Sequence, residues 1–267
     1  MTYPLSDVNL SRRLERCEAR TNASMIESRA RLQPDLGAAW IDVNGTYAMF
    51  DGLQSPLTQT FGFGLYSEPA EEDLARLEEF FTSRGAAVFH EVSAMAPPET
   101  LQVLGRRGYR PVELTSVLYQ PIVPREPGES RVTTRIIGPG EEGLWSATTA
   151  EGWSEVPELA GFLQDLGRVT ASARDTLAFL AEIDGRPVGA GALAIHDGIA
   201  LLAGASTIPT ARKQGAQKAL LEARLRHAAG QGCDLAMMGA APGSPSQRNA
   251  ERQGFRIAYT RIKWGRE

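Results

Sequence analysis

The sequence predicts an α/β fold built twice over in one chain, and three observations carry that expectation. Turn signals and hydrophobic patterning between residues 38 and 120 give the order strand–strand–strand–helix–strand–helix–strand, and the same order returns between 177 and 264. The joint Arg106-Arg107-Gly108-Tyr109-Arg110 is echoed by Arg252-Gln253-Gly254-Phe255-Arg256. A polar stretch rich in proline and glycine, PIVPREPGES at 121–130, reads as a linker between a domain at 1–120 and a domain at 131–267.

The elements follow in order. Residues 6–32 read as one helix rich in Arg and Glu, with Ser6 or Asp7 as its cap and Pro34 beyond its end. Leu10, Leu14, Cys17 and Ile26 mark its apolar stripe, which suits a helix that covers a sheet. Strands at 38–43 and 47–50 are joined by Asn44-Gly45, a strong hairpin signal. A third strand is expected at 57–65, a helix at 71–83 with Leu74, Leu77 and Phe81 on one face, a strand at 87–92, a helix at 99–106 and a strand at 109–120.

Beyond the linker a strand is expected at 132–137 and helices at 141–150 and 157–169. Strands at 177–183 and 187–195 form a hairpin around Asp184-Gly185-Arg186, and His196-Asp197-Gly198 turns into a strand at 199–208. Pro209 has no backbone N–H and ends that strand. A basic loop, Arg212-Lys213-Gln214-Gly215, leads directly into a helix. There Ala216, Leu220 and Ala223 repeat at helical spacing, flanked by Leu221, Leu225 and Ala228. A strand at 233–239 and a helix from 246 complete the repeat.

Composition narrows the function classes. The 267 residues are 42% hydrophobic, enough for an ordinary packed core, and the net charge of −4 argues against a broad nucleic-acid interface. A local basic loop in a mildly acidic chain suits a small anionic ligand instead. Cys17 and Cys233 are isolated, so neither a metal cluster nor a disulfide framework is expected. No apolar run approaches a membrane span, and the N-terminus lacks the apolar core of a signal peptide, so a cytoplasmic setting is expected.

The basic loop is the strongest chemical signal. A helix N-terminus leaves backbone N–H groups unpaired and carries about half a positive charge. Gly215 there allows a ligand to approach the backbone, and Arg212 and Lys213 add charge that favours phosphate or pyrophosphate. The first half differs at the corresponding place. Its helix is entered through Ser67-Glu68-Pro69-Ala70-Glu71-Glu72-Asp73, whose carboxylates suit the helix dipole and repel a phosphate.

On the loop Arg212-Lys213-Gln214-Gly215-Ala216-Gln217, set after Thr207-Ile208-Pro209, and on the hairpin AEIDGRPVGAGAL, the chain resembles the GNAT superfamily of N-acetyltransferases. The segment from Ser246 to Phe255 resembles the last helix-to-strand joint of that superfamily. The resemblance covers residues 131–264. Gln217 stands where the superfamily has Gly or Ala. It implies tandem GNAT-like domains, each a mixed, mostly antiparallel sheet flanked by helices, with the first copy degenerate.

It also implies transfer of an acetyl group from acetyl-CoA to an amine. The backbone of Ser206, Thr207 and Ile208 would bind the pantetheine arm, and Arg212, Lys213, Gln214, Gly215, Ala216 and Gln217 the pyrophosphate. The superfamily's usual tyrosine acid is replaced by Ala250. Neighbouring Asn249 is the candidate catalytic residue: it could bond the pantetheine arm or a water near the sulfur, or equally cap the helix or face solvent. Glu151, Glu155, Glu182 and His196 are the titratable groups expected near the cleft, Trp153 could border an acceptor pocket, and no general base declares itself.

Three functions remain open on the sequence. The first is an acyl-CoA-dependent N-acetyltransferase acting on a small-molecule or peptide amine, as a monomer or weak homodimer without nucleic acid or membrane. The second is a catalytically inactive acetyl-CoA or CoA-binding protein of the same tandem fold. The third is a scaffold whose basic loop is ordinary surface.

Overall fold

The computed structural model describes residues 2–124 and 130–266, so the middle of the expected linker lies outside the described residues. The chain forms two compact units, one of Thr2–Gln120 with Met237–Glu267 and one of Pro121–Ala236. In chain order the first unit opens with α1 (Val8–Leu32), β1 (Ala39–Val43), β2 (Thr46–Phe50), β3 (Gln59–Phe61), α2 (Glu71–Thr82), β4 (Val88–Ser93), α3 (Pro98–Arg106) and β5 (Arg110–Pro121). The second unit carries β6 (Thr133–Ile136), α4 (Glu142–Glu151), α5 (Ala160–Ala171), β7 (Thr176–Ile183), β8 (Arg186–His196), β9 (Ile199–Thr207) and α6 (Ala216–Gly230). The unit boundary falls inside β10 (Leu235–Ala240), and α7 (Pro245–Arg252) and β11 (Arg256–Arg266) return to the first unit.

Residues 237–267 of the expected domain at 131–267 group with the first unit. The reason is strand pairing: β11 lies antiparallel to both β4 and β5, with Arg261 opposite Ser93 on one side and Thr115 on the other. Residues from the end of the chain thus complete the sheet begun by residues 39–120.

In the first unit α1 starts at Asp7, whose carboxylate accepts the Leu10 N–H at 2.8 Å. Strand β2 is buried along its whole length. Its alternation sends Tyr47 and Met49 to a cluster with Ala23, Ile26 and Phe61, and Ala48 and Phe50 to a cluster with Leu74, Leu77, Phe81 and Leu104. Each class of helix thus covers one face of a two-sided strand. The expected strand at 57–65 is reduced to three residues because the chain turns at Gly62 and Gly64, where the ring of Tyr66 and the side chain of Thr100 fill the space a Cβ would need.

The interior of this unit is also strongly charged. Arg261, 1% exposed, meets Glu15, Glu18 and Glu91, and Tyr259 donates to Glu15 at 2.9 Å. Burial pushes the Glu15 carboxyl up to about 7 despite the opposing charge of Arg261.

The second unit holds consecutive antiparallel strands β6, β7, β8 and β9. Trp145 of α4 is buried on this sheet with Ala178, Leu180, Ala190 and Ala192, and its indole N–H reaches the Phe179 carbonyl at 3.0 Å. The helix expected at 157–169 begins as a 3-10 turn at Pro157–Leu159 and becomes α-helical only at Ala160. No helix among the described residues is long and apolar enough to cross a membrane.

Candidate functional site

Strand β9 is where the second unit opens. Its first four residues and its last two are buried, but Ala203, Gly204 and Ala205 between them are exposed. The same residues carry an irregularity in pairing. Ala192 lies opposite Ala203 and Ala190 opposite Ser206, so β9 has an extra residue there, a β-bulge. Gly204 sits at φ 59, and a Cβ on it would stand 3.5 Å from the ring of Trp145. The bulge therefore rests on Trp145 from one face of the sheet.

From α6 the bulge is met by Arg224. This side chain is 3% exposed, and its Nη1 donates to the carbonyls of Ala192 (3.0 Å) and Ala203 (3.3 Å), while Nε donates to the Leu220 carbonyl at 3.1 Å. Arg224 has no ion pair with a carboxylate among the described residues. Burial lowers its pKa to about 10, so the group remains charged at neutral pH.

Beyond the bulge, Ser206 and Thr207 are buried, yet neither hydroxyl finds a hydrogen-bond partner among the described residues. Both hydroxyls are therefore able to take a hydrogen-bond partner at this strand end. Ile208, half-buried, bonds back to the Val188 carbonyl at 3.0 Å. The 3-10 turn Pro209–Ala211 then ends the strand, as the proline requires.

The loop that follows is exposed at Arg212, Lys213, Gln214 and Gly215, and Ala216 is buried. Lys213 at φ 63 and Gly215 at φ 93 both adopt left-handed backbone, which turns the chain sharply into α6. No side chain caps that helix, and its first internal bond runs from Ala219 N to Gly215 O at 2.9 Å. The amides of Ala216, Gln217 and Lys218 thus have no acceptor in the helix. A Cβ on Gly215 would approach nothing closer than 3.9 Å, so the space before these amides is open. Unpaired amides, a helix dipole and the nearby Arg212 and Lys213 are the elements that could hold an anion here.

Arg212 is already engaged. Its Nη1 pairs with Glu155 at 2.7 Å and its Nη2 donates to the Gly152 carbonyl at 3.3 Å. Gly152 in turn packs so closely on Ser206 that a Cβ there would lie 2.6 Å from the hydroxyl. The turn after α4 is therefore held to the end of β9 and to the basic loop. Trp153 beside it is about half exposed, at 48%.

The remaining sequence candidates divide. Ser206, Thr207, Ile208 and residues 212–217 come together along one strand end and one helix start of the second unit. Asn249 belongs to the other unit, is exposed, and accepts from Arg252 at 3.4 Å. Ala250, in the place of the expected acid, is buried at 4%. Glu182 is committed to Arg135 at 2.8 Å, and Glu155 to Arg212. His196 ends β8 at its turn. Cys233 is buried, and burial raises its pKa, which keeps the thiol protonated and unreactive. No group of three or more candidate metal ligands occurs among the described residues.

The corresponding place in the first unit is built differently. Helix α2 begins with Glu71, Glu72 and Asp73 and also lacks a side-chain cap. Asp73 accepts from the Asn44 amide at 2.9 Å, and Glu71 pairs with Arg107 at 2.9 Å. Its first turn is thus acidic, with two of its three carboxylates held by other side chains.

Sequence reasoning missed Arg224 and the Arg212–Glu155 pair. Arg224 was detectable, because it stands four residues after Leu220, between Ala223 and Leu225, on a stripe that predicts burial. Gly191 was the matching signal, since only a residue without a Cβ leaves room for the guanidinium over β8.

Residues 142–255 match the model of the acetyltransferase (GNAT) family. Among solved structures, the chain is similar to a GCN5-related N-acetyltransferase from Kribbella flavida, at 22% identity and a TM-score of 0.61, over 91% of this chain and 95% of that one. It is also similar to a tandem GNAT protein from the clavulanic acid biosynthesis pathway, at 14% identity and a TM-score of 0.58, over 99% and 97%. A GCN5-related N-acetyltransferase from Sphaerobacter thermophilus aligns at 17% identity and a TM-score of 0.55, over 94% and 91%. No curated protein matches. These likenesses span nearly the whole chain and give it a tandem GNAT-like fold, a mixed and mostly antiparallel arrangement with flanking helices.

Proposed function

From the GNAT-family match at residues 142–255, we propose that the chain is an acyl-CoA-dependent N-acetyltransferase whose donor site lies in its second unit. The single observation that carries this reading is the uncapped start of α6 behind Gly215, with Arg212 and Lys213 exposed beside it. A pyrophosphate placed there accepts from the free amides of residues 216–218 and gains from the helix dipole. The exposed backbone of Ala203–Ala205 and the orphan hydroxyls of Ser206 and Thr207 supply partners for a polar chain laid along β9.

Acetyl-CoA, as co-substrate, supplies the thioester whose acetyl group is transferred. The protein's part is to hold that carbonyl against the bulge, where strand N–H groups meet the charge that grows on its oxygen. It also presents a neutral amine, from a small molecule or a peptide, in line with the carbon. A thiol ionises near pH 8.5 and leaves as thiolate without a dedicated acid, which fits the absence of a tyrosine at Ala250. Asn249 enters this reading as a candidate hydrogen-bond partner of the pantetheine arm or of a water.

Buried Ala250, with Glu182 committed to Arg135 and Glu155 to Arg212, favours a second reading, a tandem GNAT-like protein that binds acetyl-CoA without turning it over. Following thiol release from acetyl-CoA across a panel of primary amines and short peptides separates the two. Amine-dependent release that a Gly215→Glu change abolishes supports the transferase. Binding without release at any amine supports the binder.

A further inference from the structure

Arg224 is a buried cation that packing alone does not explain. Its position on α6 calls for an apolar side chain, since Leu220, Leu221, Leu225 and Ala228 around it are all buried. Taking a guanidinium out of water without a counter-ion costs several kcal/mol, even with hydrogen bonds to soften it. A leucine there would avoid that cost. The neighbourhood has also been cut to fit: a Cβ on Gly191 would stand 3.0 Å from the guanidinium carbon.

What the guanidinium holds is the root of the β9 bulge. One nitrogen bridges the carbonyls of Ala192 and Ala203, which are partners across β8 and β9 on the last regular pair before the irregularity. The residues that follow, Gly204 and Ala205, are exposed, and Trp145 supports Gly204 from the other face. The bulge is thus fixed from both sides of the sheet, and a charge with no neutralising carboxylate among the described residues lies against one of them.

We propose that Arg224 is a positioning residue for acyl transfer: it fixes the β9 bulge through Ala192 and Ala203, and its unneutralised charge polarises the thioester carbonyl held there. The inference rests on acetyl-CoA binding along β9, the reading given above. It goes beyond that reading by assigning the polarisation to a side chain that touches neither substrate nor cofactor. In a low-dielectric interior a fixed charge acts over several ångströms with little screening.

The test is infrared difference spectroscopy of acetyl-CoA labelled with carbon-13 at its thioester carbonyl, bound to wild type, Arg224→Met, Arg224→Lys and Gly191→Ala. The wild type is expected to shift the carbonyl band to lower frequency than in free acetyl-CoA. Arg224→Met should bind with little change in affinity but return the band toward the free value, and Arg224→Lys should recover part of the shift. Gly191→Ala keeps the charge and displaces it, so an intermediate band is expected. A wild-type band in Arg224→Met makes the residue merely structural and overturns the inference. If Arg224→Met fails to fold, unchanged bands in both Arg224→Lys and Gly191→Ala overturn it equally, and shifted bands support it. No binding to wild type removes the donor-site reading itself, and the inference with it.

Discussion

Two helix starts occupy corresponding places in the two halves of this chain and are built with opposite charge. Helix α6 is entered through Arg212 and Lys213 and a glycine at φ 93, with open space before its first amides. Helix α2 is entered through Glu71, Glu72 and Asp73, two of which are tied to Arg107 and Asn44. Both starts lack a side-chain cap, so backbone geometry alone offers an anion site twice. Side-chain charge withdraws one offer. The lesson is that a repeated fold carries a repeated scaffold, while a few residues at the helix mouth give its two copies opposite charge.

The buried arginines repeat the contrast. Arg261 in the first unit meets three carboxylates, whereas Arg224 in the second meets only carbonyls among the described residues. The first unit uses its charge internally, and the second leaves its charge directed at a strand that opens to solvent.

The largest expected break in this comparison comes from giving α6 the character of α2. In the proposed donor site Arg212→Glu would remove a charge-assisted bond to pyrophosphate, worth about 1.5–3 kcal/mol, and add a repelling carboxylate. Acetyl-CoA affinity should fall by at least about tenfold, as each 1.4 kcal/mol is one decade in affinity. The same calorimetric titration on Glu71→Gln should leave affinity unchanged, since that carboxylate lies at the acidic helix start, outside the proposed donor site.

The next effect concerns the interior of the first unit. Glu15 is protonated in the folded protein up to about pH 7, whereas its ordinary value is 4.5. The folded state therefore binds a proton that the unfolded state has lost between these values, and stability from this group falls as pH rises across that window. Glu15→Gln keeps the side chain's shape without the ionisation. It should match wild type in melting temperature near pH 4.5 and exceed it by a few degrees at pH 8. Equal curves at both pH values would mean that folding leaves the Glu15 carboxyl at its ordinary value, and a lower melting temperature of the variant at pH 8 would place Glu15 in an ordinary ion pair.

The smallest effect sharpens the α6 side. Glu155 holds Arg212 at 2.7 Å, and a pyrophosphate must compete with it. An exposed ion pair is worth about 0–1 kcal/mol, so Glu155→Gln should tighten acetyl-CoA binding by no more than about fivefold. A weaker affinity in that variant would mean that Glu155 orders the loop instead of competing for it.

Much of this was legible in the chain itself. The Asn44-Gly45 and Asp184-Gly185 hairpins, the proline stop at Pro209 and the apolar stripe of α6 are local signals, and local signals survive folding. The basic loop was legible because its chemistry lies in consecutive residues. What escaped depends on distant partners. Nothing within 256–266 announces that this strand pairs with residues 88–93 and 110–119. The brevity of β3 follows from Tyr66 and Thr100 filling the turns at Gly62 and Gly64, a contact across more than thirty residues in the second case. Arg224 escaped because a charge on a buried stripe contradicts the pattern used to find the stripe. Such contradictions mark places where stability has yielded to something else.

The most direct test of the central claim is calorimetric titration of acetyl-CoA into wild type and into Gly215→Glu, with circular dichroism as the control for fold. A carboxylate in place of Gly215 puts a bulky anion before the free amides of α6, in a left-handed conformation that costs about 1–2 kcal/mol, small enough for the fold to survive. One acetyl-CoA is expected per wild-type chain and none in the variant. Two bound molecules per chain, or equal binding by both proteins, would contradict the central claim.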